Sequence, residues 1–128
     1  TRVPTLTVTA HGADAGRETL IESLGAEVTH VNEVAGKLWL PSVMEDLVAR
    51  GMTRLLVEGG PAMWRAFADL GLADDVAFYH AGGRASEEAV LECAARWLGP
   101  LPLAVFDQRR LGPDRLWRLR RAAEKKEG

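Results

Sequence analysis

The run Glu58-Gly59-Gly60-Pro61 sets a carboxylate directly before two glycines and a proline, with the apolar stretch "TRLLV" ahead of it and a helical pattern behind. Each residue type has a physical consequence. Two glycines remove the Cβ atoms that would keep a ligand away from the backbone, and they accommodate a tight strand-to-helix turn. Pro61 suits the first position of a helix, where an N–H would have no intrahelical acceptor. The amides of Gly60, Ala62 and Met63 then face outward at the positive end of that helix, an arrangement that holds phosphate or pyrophosphate. Glu58 would repel phosphates if it faced them, so it is expected to accept hydrogen bonds from hydroxyl or amine groups elsewhere on the ligand. The implied site has two parts, phosphates on the glycines and a polar group on the acid. The same residues also make a plain tight turn in which Glu58 caps backbone amides, and the dinucleotide fingerprint G-x-G-x-x-G is absent.

The elements that would position this turn follow an alternating rhythm. Residues 5–10, "TLTVTA", read as a strand, and "HGADAGRETL" as a turn and a helix capped by Asp14 with Leu20, Ile21 and Leu24 as its apolar stripe. Gly25 ends that helix and residues 26–31 form the next strand. After a loop with Gly36, Leu40, Val43, Met44, Leu47 and Val48 recur at helical spacing as far as Gly51. "TRLLVEGG" is a continuous apolar run of the kind expected in a strand covered on both faces. A helix from Pro61 to Leu70, a strand in "DDVAFYHAG" and a helix from Ser86 to about Trp97 come next. The chain closes with two strands joined across Gly112-Pro113-Asp114, and residues 122–128 read as a charged, frayed tail. Strands alternating with helices predict an α/β sheet with crossover connections and a C-terminal antiparallel hairpin.

With 128 residues, 47% apolar and 27% charged, the chain is expected to form one globular domain over residues 1–121. A net charge of −2 gives no basic field for nucleic acid or an anionic membrane surface. No apolar run approaches the ~20 residues of a membrane-spanning helix, and a cytoplasmic location is expected. Cys93 is the single cysteine and reads as a small core residue. His11, His30 and His80 show no ligand spacing, so no metal site is expected; His80, at a strand end, is the best polar candidate after Glu58, though a surface or hydrogen-bonded histidine explains it too. Trp39, Trp64, Trp97 and Trp117 serve a small core as readily as a stacked base.

Taken together, "LLVEGGPAMWRAFADLGLADDVAFYHA" resembles the reductase domain of the bifunctional riboflavin-biosynthesis deaminase/reductase, a relative of dihydrofolate reductase. Weaker similarity extends back to "PTLTVTA" and forward to the closing hairpin. Dihydrofolate reductase also has a double glycine here, as a rule without the preceding acid, so Glu58 favours the riboflavin branch. The resemblance implies a dihydrofolate-reductase-like, mostly parallel sheet flanked by helices, present here as a partial domain. It implies NADPH as cofactor and reduction of the ribosylamino side chain of 5-amino-6-(5-phosphoribosylamino)uracil to the ribitylamino form. By position, Glu58 would bind substrate, while Gly59, Gly60, Pro61, Ala62, Met63, Trp64, Arg65 and Ala66 would line the cofactor site. Thr9 and Ala10 could lie near the cofactor. Hydride comes from the cofactor, so no side chain need act as a nucleophile.

The family domain has strands ahead of the point where this chain begins, and the chain is expected to be a C-terminal piece or a shortened relative. After Ala81 the family continues with a proline and a Lys-Leu-Leu-Gly-like segment, whereas this chain reads "GGRASEEAVLECAARWLG", which is expected to form a helix. Missing first strands would leave sheet edges open, so self-association is expected, and the resemblance suggests a homodimer with the C-terminal strands at the contact. The competing expectation is a non-catalytic dimerisation or nucleotide-binding module that retains the scaffold.

Overall fold

The computed structural model describes residues 3–122, which form two compact units dividing between Leu56 and Val57. In the first unit, β1 (Leu6–Ala10) runs parallel to β2 (Glu27–Val31), in register from Leu6 opposite Glu27 to Ala10 opposite Val31. The crossover between them is α1 (Ala15–Ser23), started by Asp14, whose Oδ1 accepts the Arg17 N–H at 2.8 Å. Its stripe is only half used: Ile21 is half-buried, but Leu24 is 66% exposed. The loop expected around Gly36 is a small hairpin, β3 (Glu33–Val34) with β4 (Lys37–Leu38), turning on Ala35 at φ 52° and Gly36 at φ 74°.

Helix α2 (Leu40–Ala49) follows, and polar contacts fasten it to β2. Arg50 donates through Nη1 to Glu27 Oε1 at 2.6 Å and through Nε to Asp46 Oδ2 at 2.7 Å, while Thr29 Oγ1 donates to Asp46 Oδ1 at 3.3 Å. Donating to Glu27 and then to Asp46 holds the Arg50 guanidinium proton above its ordinary affinity.

Residues 53–58 differ from the sequence expectation, since they form no strand. A strand needs a neighbour to take up its N–H and C=O groups, and among the described residues the backbone of 53–59 has none. The apolar run therefore stays irregular and exposed, with Leu56 at 76%. Strand propensity measures fit to a paired, half-buried surface and does not act without one.

The second unit contains α3 (Pro61–Asp69), β5 (Asp75–His80), α4 (Glu87–Leu98), β6 (Leu103–Leu111) and β7 (Asp114–Arg121). Its sheet is antiparallel in the order β5-β7-β6, so the last strand lies in the middle. Ser86 Oγ caps α4 by accepting the Ala89 N–H at 3.2 Å. Gly112, at φ 61°, leads the hairpin turn into Pro113, and the register shifts between Val105 and Asp107, leaving Phe106 unpaired in a bulge.

Alternation along β7 builds the core. Trp117 and Leu119 point to one face, where Ala68 of α3 and Val90, Ala94 and Leu98 of α4 close over them, with Val76, Phe78 and Val105 packed alongside. The opposite face carries Tyr79, Leu116, Arg118 and Arg120. The tail expected over 122–128 lies outside the described residues except for Ala122, whose N–H donates to Pro102 O at 2.7 Å.

Candidate functional site

The Glu58-Gly59-Gly60-Pro61 turn opens α3, and its two glycines have different roles. A Cβ built on Gly59 would stand 2.7 Å from Met63 Cβ and 2.8 Å from Met63 Cγ, so this position is glycine because the helix folds back against it. Gly60 is the N-cap, at φ −75° and ψ −176°, a conformation open to any residue. A Cβ there would meet nothing within 4 Å. The missing side chain at Gly60 thus serves no packing and leaves clear space against the backbone at the helix end.

The free amides around that space are one fewer than the sequence pattern suggests. Met63 N–H donates to Gly60 O at 2.9 Å and Trp64 N–H to the same oxygen at 3.2 Å, so Met63 is not a free donor. The cause is the tightness of the first turn, in which the cap carbonyl takes up the third helical amide. Pro61 has no N–H. The amides of Gly60 and Ala62 remain without an acceptor among the described residues, at the positive end of α3. Glu58 is exposed and forms no ion pair among the described residues.

Farther along α3 the side chains have partners of their own. Arg65 Nε donates to Asp69 Oδ1 at 2.8 Å, and its guanidinium lies against Gly99, which at φ 81° has no Cβ to obstruct it. Trp64 meets Trp97 of α4 edge to face, with ring centroids 6.5 Å apart at 89°. Ala66 is half-buried. Met63 remains largely exposed, beside Gly59. The structure therefore leaves Glu58, Gly60, Ala62 and Met63 exposed at the start of α3, while Trp64 and Arg65, exposed as well, lie against Trp97 and Gly99. Sequence reading had no means of pairing Trp64 with Trp97, because that contact depends on how α4 crosses α3.

Thr9 and Ala10 belong to the first unit, at the end of β1. Thr9 lines a cavity of about 250 Å³ between the strand pair and α1, with Thr7, Asp14, Arg17 and Glu18. Beside it His30 Nε2 lies 2.8 Å from Glu18 Oε1, and the His11 and His30 rings stack at 5.7 Å. Among the described residues no group of three or more His, Cys, Asp or Glu side chains could hold a metal ion, and no helix is long and apolar enough to cross a membrane.

Comparison with known proteins bears on this geometry. The family model for the RibD C-terminal domain matches residues 1–83. Among solved structures the chain is similar to a pyrimidine reductase-like protein from Corynebacterium diphtheriae, at a TM-score of 0.66 and 18% sequence identity, over 91% of this chain and 50% of that one. The likeness shows a shared α/β fold, of the dihydrofolate-reductase type in partial form, and the chain spans half the length of that structure. A search among curated proteins returned no match.

Proposed function

The chain belongs to the RibD C-terminal domain family, reductase-like domains of riboflavin biosynthesis, and from that premise we propose that it serves NADPH-dependent reduction of the ribosylamino side chain of 5-amino-6-(5-phosphoribosylamino)uracil. The observation that carries the reading is the clear space over Gly60, bordered by the unacceptored amides of Gly60 and Ala62 at a helix N-terminus. A dinucleotide pyrophosphate fits that donor set, because both amides and the helix end favour negative charge. When bound, NADPH supplies hydride to the first carbon of the ribosyl group.

The chain's own residues have positioning tasks. Gly60 and Ala62 would hold phosphate oxygens through their amides, and Gly59 keeps Met63 seated so that the first turn presents them. Glu58 would accept hydrogen bonds from substrate hydroxyl or amine groups, and so orient the substrate beside the cofactor. The partner expected on family grounds is a second copy of the chain.

The test is calorimetric titration of NADPH into the 128-residue chain beside Gly60→Val and Glu58→Gln. Gly60→Val puts a side chain into the space where a Cβ meets nothing within 4 Å, so NADPH binding should fall at least tenfold in a chain that stays folded, its melting temperature lowered only by the poorer N-cap. Glu58→Gln should leave NADPH binding intact and weaken substrate binding. NADPH binding that survives Gly60→Val would sink the placement. A second reading, a module without catalysis, has one observation in its favour: the family match ends at residue 83, immediately before α4 replaces the usual segment. A folded parent that binds no NADPH would transfer the argument to that reading.

A further inference from the structure

The arginines of the C-terminal hairpin divide by the face they occupy. On the outer face, Arg109 meets Asp107 at 3.0 Å, Arg120 meets Asp75 at 2.9 Å, and Arg118 lies 3.7 Å from Asp75 and 4.0 Å from Asp107. Phe106 lies under both Arg118 and Arg120, at 4.8 and 4.2 Å from its ring centre. On that face every arginine has a carboxylate within ion-pair distance, two aspartates serving three arginines.

The other face ends differently. His80 of β5 stands opposite Arg115 of β7, and Arg115 stands opposite Arg110 of β6, so the three side chains form one cross-strand row on the core-facing side. The row lies one pleat beyond Phe78, Trp117 and Gln108. Among the described residues Arg115 donates to Gln108 Oε1 alone, at 3.3 Å, and Arg110 to Gly112 O alone, at 3.1 Å. Among the described residues no carboxylate pairs with either. Asp107 is committed to the outer face, and Asp114 accepts the Gly82 amide at 3.0 Å. Like charges set directly opposite each other destabilise a strand pair, so this arrangement leaves an uncompensated cost.

Next to the row lies a cavity of about 170 Å³, lined by Phe78, His80, Ala85, Ala89, Val90 and Cys93. Its wall is almost wholly apolar, and it is as large as cavities that hold a benzene ring, roughly 150 Å³. His80 Nδ1 is buried with no hydrogen-bond partner among the described residues, a condition that an ordered water or ligand usually relieves. Two arginines without a carboxylate partner among the described residues on one side and an apolar hollow on the other share His80 as their boundary.

We infer that this end of the second unit binds a small organic anion, with a phosphate or carboxylate head between Arg110 and Arg115 and an apolar part in the Ala89–Cys93 hollow. The site is separate from the Gly60 mouth, being built from β5, β6, β7 and the start of α4 where the other is built from the start of α3. It stands whether or not the cofactor reading does.

The probes are phenyl phosphate and inorganic phosphate, titrated calorimetrically into the 128-residue chain. Phenyl phosphate should bind at least tenfold more tightly than inorganic phosphate. Arg110→Gln is an exposed change that leaves the fold intact by circular dichroism, and it should weaken both probes about fivefold or more, as should Arg115→Gln. Ala89→Leu fills the hollow and should abolish the advantage of the phenyl group while sparing inorganic phosphate. Repeated in a Gly60→Val background, which closes the other anion mouth, the same differences between probes and variants should persist. Equal affinity for the two probes, or unchanged binding in folded Arg110→Gln, would overturn the site, and loss in Gly60→Val would move the anion to the other mouth.

Discussion

At the scale of single residues, two adjacent glycines separate packing from access. Gly59 has Met63 against it, and any Cβ must displace that side chain or the turn. Gly59→Ala should therefore lower stability by about 1–3 kcal/mol, the usual range for overpacking. Gly60→Ala, with nothing to meet, should lie within about 0.5 kcal/mol of the parent. Thermal or urea melts of the pair decide it, and equal losses at both positions would refute the division. The need for glycine here was legible from the type and spacing of four residues. Which glycine serves the fold was not, because that depends on the direction in which Met63 turns. The surplus donor assigned to Met63 had the same origin: sequence shows how many amides a helix start offers, while the pitch of the first turn decides how many stay free.

At the scale of elements, local chemistry was legible wherever a side chain closes on its own neighbourhood. Asp14 and Ser86 cap the helices they precede, and Gly112-Pro113-Asp114 turns the hairpin as its composition implies. The run at 53–58 was not legible, since its apolar content is the same with or without a strand beside it. A smaller case is the β3–β4 turn, where both central residues have positive φ and the second is glycine. This is the primed geometry that two-residue hairpins prefer, and alanine at its first position is held in the left-handed region at a cost of roughly 1 kcal/mol. Asparagine tolerates that region. Ala35→Asn should raise the urea midpoint by the equivalent of about 0.5–1 kcal/mol, and an unchanged or lower midpoint would count against a strained turn.

At the scale of the molecule, the outer face of the β5-β7-β6 sheet presents alternating acids and arginines around Phe106, with Tyr79 67% exposed. A face holding both charges in alternation can meet a copy of itself about a two-fold axis, acid against base. If the expected homodimer uses this face, Tyr79→Glu should yield monomers in sedimentation velocity at concentrations where the parent is dimeric. A dimer that persists would place the contact elsewhere. The strand order β5-β7-β6 also bears on how the chain is made. As the polypeptide leaves the ribosome, β5 and then β6 emerge with no partner between them, because the strand both require is the last among the described residues to be synthesised. Their edges stay open until residues 114–121 are free to enter. A premature stop codon ahead of that point would remove the middle of the sheet and leave two strands without the neighbour each has in the fold.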